Sequence, residues 1–204
     1  MRKHLILNIV LIFIAISLTA QTKTTDMGVV INGVKWATRN ADTPDTFAAT
    51  PEAAGMFYQW NSKIGWSAAD PMINSNGDTM WESSEVEGII WEKDNDPCPL
   101  GWRIPTVIEM ESLESVVSKW TSLNGVNGRM FGTDEPFLFL PAIGERTYKN
   151  GALNQEYNIG YYWSSTAFSI NNAFNLYISN NYVAAHVVNL CQDGFLVRCV
   201  AEQD

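Results

Sequence analysis

The chain has 204 residues, 46% of them hydrophobic and 17% charged, with eight tryptophans and a formal net charge of −9. That is ample apolar material for one good-sized domain or two small ones, and too little compositional bias for disorder. The acidic balance repels phosphate backbones, which excludes nucleic acid as a partner, and no basic amphipathic stretch suits a membrane surface.

Arg2, Lys3 and His4 form a basic head ahead of the uncharged "LILNIVLIFIAISLTA" and the polar "QTKTTD". This is the pattern of a secretory signal over residues 1–20, with cleavage expected after Ala20. The alternative is an uncleaved anchor helix, for which the run is short. No cysteine follows the apolar run, so no lipid attachment is expected there. Removal of the head takes two of the thirteen positive charges and leaves 11 − 22 = −11. Residues 21–28 then form a short leader and residues 29–204 a single domain. No membrane span is expected after signal removal, and the protein is expected to be secreted, periplasmic or on the outer cell surface.

"MGVVINGVKWATRN" reads as a hairpin around Asn32-Gly33, a favoured type I′ pair. "TPEAAGMFYQWN" is ambiguous: Thr50-Pro51 suits a helix opening, while Met56, Tyr58 and Trp60 alternate as in a strand. Residues 61–97 are loop-like, with "INSNGD" a turn. In "PTVIEMESLESVVSKW", Thr106 and Glu109 have capping-box spacing. Val107, Met110, Leu113, Val117 and Trp120 follow on one helical face, which predicts a main amphipathic helix over about 106–120. Glu111 and Glu114 fall on other faces, where a solvated role is the default. Beyond it, "PFLFLPAI", "GYYWSSTA", "AFNLYIS", "YVAAHVVN" and "GFLVRCVA" read as strands punctuated by Gly and Asn. One helix packed on short antiparallel strands is an α+β arrangement.

Three cysteines in an exported chain allow one disulfide and one spare. Cys98 and Cys199 sit in apolar sequence, whereas Cys191 lies in the polar "NLCQDG". Pairing Cys98 with Cys199 closes a loop of ~100 residues, worth on the order of 4 to 5 kcal/mol on the chain-entropy model. Cys191 with Cys199 would instead be a local clip.

Catalytic chemistry has little to work with, and no catalytic residue is assigned. After signal removal His186 is the one histidine left, in a strand-like segment. Neither a histidine pair nor a close cysteine pair offers a zinc site. Asn74, Asn76 and Asp78 loosely follow a calcium loop but lack its acidic first position and its terminal Glu. Scattered acids could meet in the fold as a carboxylate pair for glycoside hydrolysis, with Asp134 and Glu135 as one candidate, but no local signal supports it. No metal or other cofactor is expected, and the chain is not expected to be an enzyme.

Taken together, "DPCPLGWRIPTVIEMESL", "LFLPAIGER", "GYYWSSTA" and "GFLVRCVAE" resemble the Fibrobacter succinogenes major paralogous domain, a family common in exported proteins of Bacteroidetes. The likeness runs from "VKWATRN" through "FYQWN" to the C-terminus. It implies a C-type-lectin-like fold, related to formylglycine-generating-enzyme domains and to the variable proteins of diversity-generating retroelements. It also implies a Cys98–Cys199 bridge from the start of the main helix to the last strand, with Trp102, Trp163, Phe195 and Val197 in the core and Arg198 as a buried pairing residue. Cys191, where the family often shows a basic residue nearby, is left free or linked to another chain in a disulfide dimer. Glu135-Pro136-Phe137 and "WSS" lack the calcium-dependent sugar motifs of true lectins. A Cys191–Cys199 pair of the formylglycine-generating kind conflicts with the bridge.

The resemblance places a ligand-binding face between "WSSTA" and "GFLVRC". In retroelement variable proteins the rewritten codons, AAC and AAT, cannot become Lys, Glu, Gln, Met or Trp, and none of these occurs from Ser164 to Cys191. Asparagine supplies donors and acceptors, and tyrosine and phenylalanine supply contact area, as in antibody loops. With Phe174, Leu176 and Ile178 inward, alternation predicts Asn175, Tyr177 and Ser179 outward. The candidate contact residues are Phe168, Ser169, Asn171, Asn172, Asn175, Tyr177, Ser179, Asn180, Asn181, Tyr182, His186 and Asn189. An exterior protein or glycan is the expected ligand, and adhesion or ligand binding the expected role. A structural cell-surface subunit linked through Cys191 is the alternative.

Overall fold

The structure is a computed structural model that describes residues 25–84, 88–133, 135–154 and 158–202. The expected signal segment, the leader as far as residue 24, and Asp134 lie outside the described residues. In chain order the strands are β1 (Val29–Ile31), β2 (Val34–Trp36), β3 (Phe57–Tyr58), β4 (Gly65–Trp66) and β5 (Trp102–Arg103). After the helix α1 (Val107–Glu111) come β6 (Ser118–Leu123), β7 (Val126–Phe131), β8 (Leu138–Pro141), β9 (Glu145–Arg146) and β10 (Leu153–Asn154). The last four are β11 (Ile159–Ser169), β12 (Asn172–Ser179), β13 (Val183–Leu190) and β14 (Val200–Ala201).

Asn32 and Gly33 carry positive φ (48° and 82°), and β1 and β2 pair across them as the sequence predicts. Trp36, fully buried at the end of β2, pairs with Val200, and β14 also pairs with β5. The first, middle and last parts of the chain thus share one sheet, ordered β1-β2-β14-β5. The ambiguous segment after Pro51 resolves as the strand β3, paired with β4. Asn74 forms the expected turn: its Oδ1 accepts from the main-chain N of Asn76 and of Asp78, both at 2.9 Å.

The helix is the main departure. Its start is as predicted: Thr106 Oγ1 accepts from Glu109 N (3.3 Å), and Glu109 Oε2 accepts from Thr106 N (2.8 Å). It then stops at Glu111. Ser112 Oγ donates to Glu109 O (2.6 Å) and Ser115 Oγ to Ser112 O (3.1 Å), bonds that compete with helix propagation. The following residues join β6, whose hairpin with β7 turns at Asn124 and Gly125, both with positive φ (49° and 86°). Val117 is left 69% exposed and Trp120 faces Arg129 across the hairpin. Of the predicted apolar face, Val107, Met110 and Leu113 are buried. The described residues therefore build mostly small β-sheets with one five-residue α-helix, and not the α+β, C-type-lectin-like arrangement with a main helix over 106–120. The Asn-Gly pair outcompetes the helical period because it closes a six-residue ladder at little strain.

Two clusters of buried side chains form the interior. One gathers Trp36, Phe57, Trp66, Met110, Leu140, Leu176 and Ile178; the other gathers Tyr58, Trp60, Trp163, Ala173, Cys191, Phe195 and Val197. Trp163, Phe195 and Val197 are core as expected, whereas Trp102 is half-buried. Cys98 and Cys199 form the disulfide, closing a separation of 101 residues.

Two buried guanidiniums tie the loops. Arg198 donates to Asn40 Oδ1 (2.9 Å) and Ala37 O (3.1 Å), and burial pushes its pKa down to about 10. Arg146, with no exposed surface, donates to Ser67 O (2.8 Å), Gly151 O (2.6 Å) and Ala69 O (2.9 Å). Replacement Arg146→Met keeps the length and removes the donors, so the buried carbonyl of Gly151 and the part-buried ones of Ser67 and Ala69 lose their partner. The expected cost is about 3 kcal/mol or more, read as a lower midpoint in urea denaturation.

Candidate ligand-binding site

The expected face lies in the sheet β11-β12-β13. Its strands are rich in aromatic and β-branched residues, which suit a pleated surface. Phe174, Leu176 and Ile178 share one side of β12 as predicted, and Leu176 and Ile178 sit in the first cluster. The other side carries Ala173, Asn175, Tyr177 and Ser179. This side is covered as well, because Ala173 and the neighbouring Trp163 pack in the second cluster against Cys191 and Phe195.

Asn175 is consequently fully buried and Ser179 is 6% exposed, which corrects the expectation that both face outward. Each has a structural task. Asn175 lies beside a bulge in β13, where the pairs Asn175–Val187 and Tyr177–Ala184 enclose one extra residue. Its Nδ2 donates to Val187 O (3.0 Å) and Asn189 Oδ1 (2.9 Å). The bulge is capped from outside the sheet: Glu114 Oε1 accepts from Ala185 N at 2.5 Å, so Glu114 is not merely solvated. Ser179 Oγ accepts from Asn181 N (3.2 Å) and Tyr182 N (3.3 Å), holding the β12–β13 turn.

The remaining candidates divide among three surfaces. Phe168 (61% exposed) and His186 pack edge-on against Phe174, with ring centroids 5.4 and 5.5 Å apart. Tyr177 stands on the opposite side of β12 from Phe174, between Tyr161 (5.3 Å) and the exposed Tyr182 (5.2 Å). Asn180 and Asn181 form the exposed tip of that turn. At the other end, Ser169, Asn171 and Asn172 are half-buried in the β11–β12 turn, where Asn172 Nδ2 donates to Ser169 Oγ (3.0 Å) and Asn171 O accepts from Cys191 N (3.0 Å).

Asn172 and Asn189 reach the third surface, a groove of about 390 Å³ whose far wall is Glu145, Thr147, Tyr148 and Asp193. Asp193 Oδ1 accepts from Tyr148 N (3.0 Å). Burial, with the charge of Glu145 adding to it, pushes the Asp193 carboxyl up to about 6. Sequence reasoning missed this wall, since residues 145–148 and 193 meet only through the fold and "QDG" reads as an ordinary turn.

Cys191 is fully buried, and burial together with the Asp193 charge pushes its thiol up to about 12. A disulfide to a second chain through this residue would require the core to open, which corrects that expectation. Among the described residues no group of three or more His, Cys, Asp or Glu side chains could hold a metal ion.

Two outcomes follow from these positions. Asn175→Ala strips Val187 O of its partner inside the sheet and is expected to cost about 1–3 kcal/mol, whereas Tyr182→Ala and His186→Ala stay within about 0.5 kcal/mol in the same denaturation assay. For Asp193, the folded carboxyl near 6 holds a proton that the unfolded one, near 3.8, has already lost. Its favourable contribution is thus present below about pH 4 and lost as pH rises through about 6. Asp193→Asn should match wild type at pH 4 and exceed it by on the order of 2 kcal/mol at pH 8.

Compared with protein-family models, with curated proteins and with solved structures, the chain matches none.

Proposed function

We propose that this is an exported, non-enzymatic binding or adhesion protein that meets a ligand through the outer rim of the β11-β12-β13 sheet. The motif likeness to the Fibrobacter succinogenes major paralogous domain belongs to the same proposal. The observation that carries it is the contrast within one segment. Asn175, Ser179 and Ala173 are locked into the frame, while Phe168, Ile170 and Tyr182 stand 54–61% exposed on and beside its turns. Exposed large side chains at both turn ends of a rigid sheet, interleaved with amides, suit recognition of another surface. No helix among the described residues is long and apolar enough to cross a membrane.

Retroelement diversification, if it operates, is compatible with this frame at the exposed positions Asn180 and Asn181 and at the rim. At Asn175 a random side chain would break the bonds that hold the bulge.

The test is an array of extracellular proteins and glycans probed with the labelled protein. A discrete binder should be recovered, and the triple variant Phe168→Ala, Tyr182→Ala, His186→Ala should weaken it by about tenfold or more while keeping its unfolding midpoint. Full binding by the triple variant would move the site elsewhere.

A further inference from the structure

A cleft of about 520 Å³ lies outside the segment 168–191 and shares no residue with the acidic groove. Two indoles line it, Trp91 and Trp102. Trp91 is fixed by its Nε1 bond to Asn95 O (3.0 Å) and by edge-on packing against Trp60. Trp102 is braced edge-on by Phe47, with centroids 5.6 Å apart. In the same lining the Asp96 carboxylate is held by Cys98 N (2.8 Å) and Ile104 N (3.2 Å). Leu100, 91% exposed, stands on the adjoining turn.

The charges of the lining cancel: Asp45, Asp96 and Glu202 against Lys63, Lys93 and Arg103. The bases are already engaged, Lys63 with Asp45 (3.2 Å), Lys93 with Glu202 (3.4 Å) and Arg103 with Glu109 (2.6 Å). We propose that this cleft binds a neutral saccharide. With no net charge in its lining, the cleft presents no field that would favour an anionic or a cationic ligand. A wholly apolar ligand would strip water from the charged rim. A sugar hydroxyl both donates and accepts, so it bridges an ammonium and a carboxylate without orphaning either. The C–H face of a pyranose meets Trp102, half-buried and braced by Phe47, while Trp91, only 8% exposed, backs the wall. The volume lies in the range of ligand sites, roughly 300–1,000 Å³.

This inference stands apart from the sheet rim, and its test separates the two. The purified protein is titrated calorimetrically with short neutral gluco-, manno-, galacto- and xylo-oligosaccharides, with an oligouronate and a lysine-rich peptide as charged comparisons. At least one neutral series should bind saturably and perturb tryptophan emission. Trp102→Ala should weaken it by about tenfold or more. The double variant Lys63→Ala, Lys93→Ala, at exposed positions, should weaken it severalfold, and Tyr182→Ala with His186→Ala should leave it unchanged. Should Trp102→Ala fail to fold, the lysine variant decides. The proposal is overturned if folded wild-type protein binds none of the neutral sugars, if it binds only a charged comparison, or if binding survives both cleft variants.

Discussion

Every buried main-chain carbonyl in this protein needs a donor, and the strands cannot supply enough of them. Among the described residues, eight of the fourteen strands run to only two or three residues, so long stretches of chain lie inside without a ladder. An orphaned buried carbonyl costs about 1–3 kcal/mol. Side chains fill the gap. Arg146 serves three loop carbonyls, and Gln59 Nε2 serves Glu82 O (2.6 Å) and Gln192 O (3.1 Å). Two indoles do the same: Trp60 donates to Ser164 O and Trp163 to Tyr58 O. The tryptophan richness thus has a polar reason as well as an apolar one.

The same shortage explains the asparagines of the sheet β11-β12-β13. Because one cluster covers each side, a polar residue in the middle of β12 survives only with internal partners. Asn175 is placed where the β13 bulge frees a carbonyl, and its amide reaches that carbonyl and Asn189 together. Amides at the turns work locally, as Asn172 does with Ser169. At the rim Phe168, Tyr182 and His186 have no such task, which is why the proposed binding surface is placed there.

Short-range chemistry was the legible part of the sequence. The Asn32-Gly33 hairpin, the Thr106–Glu109 box and the Asn74 turn each depend on residues within four positions, and each formed. The Cys98–Cys199 bridge was legible because apolar context and resemblance agreed. The helical period over-extends the helix because Val117 and Trp120 fit its i, i+3 spacing although Val117 lies outside any element and Trp120 in β6, and Asn124-Gly125 sets that hairpin from outside the window. The outward reading of Asn175 failed for a different reason: alternation along β12 was correct, but nothing local tells that residues 191–200 fold back over the second side. The groove wall was invisible for the same cause, being assembled from distant segments.

That folded-back run also links the two proposed surfaces. Cys199 ties it to Cys98 in the cleft wall, and its main-chain O accepts from Ala37 N (2.9 Å). At the other end Cys191 N donates to Asn171 O and Cys191 O accepts from Trp60 N (2.9 Å), which pins the β11–β12 turn. Every residue from 191 to 200 is buried, so the run acts as a fixed strut between cleft and rim. A surface held this way has little conformational freedom left to lose on binding, and lost freedom is a main cost of association. The backbone bonds that stand in for long strands in the fold are therefore the ones that pre-organise both surfaces, and the side chains at the rim are free to vary because none of those bonds passes through them.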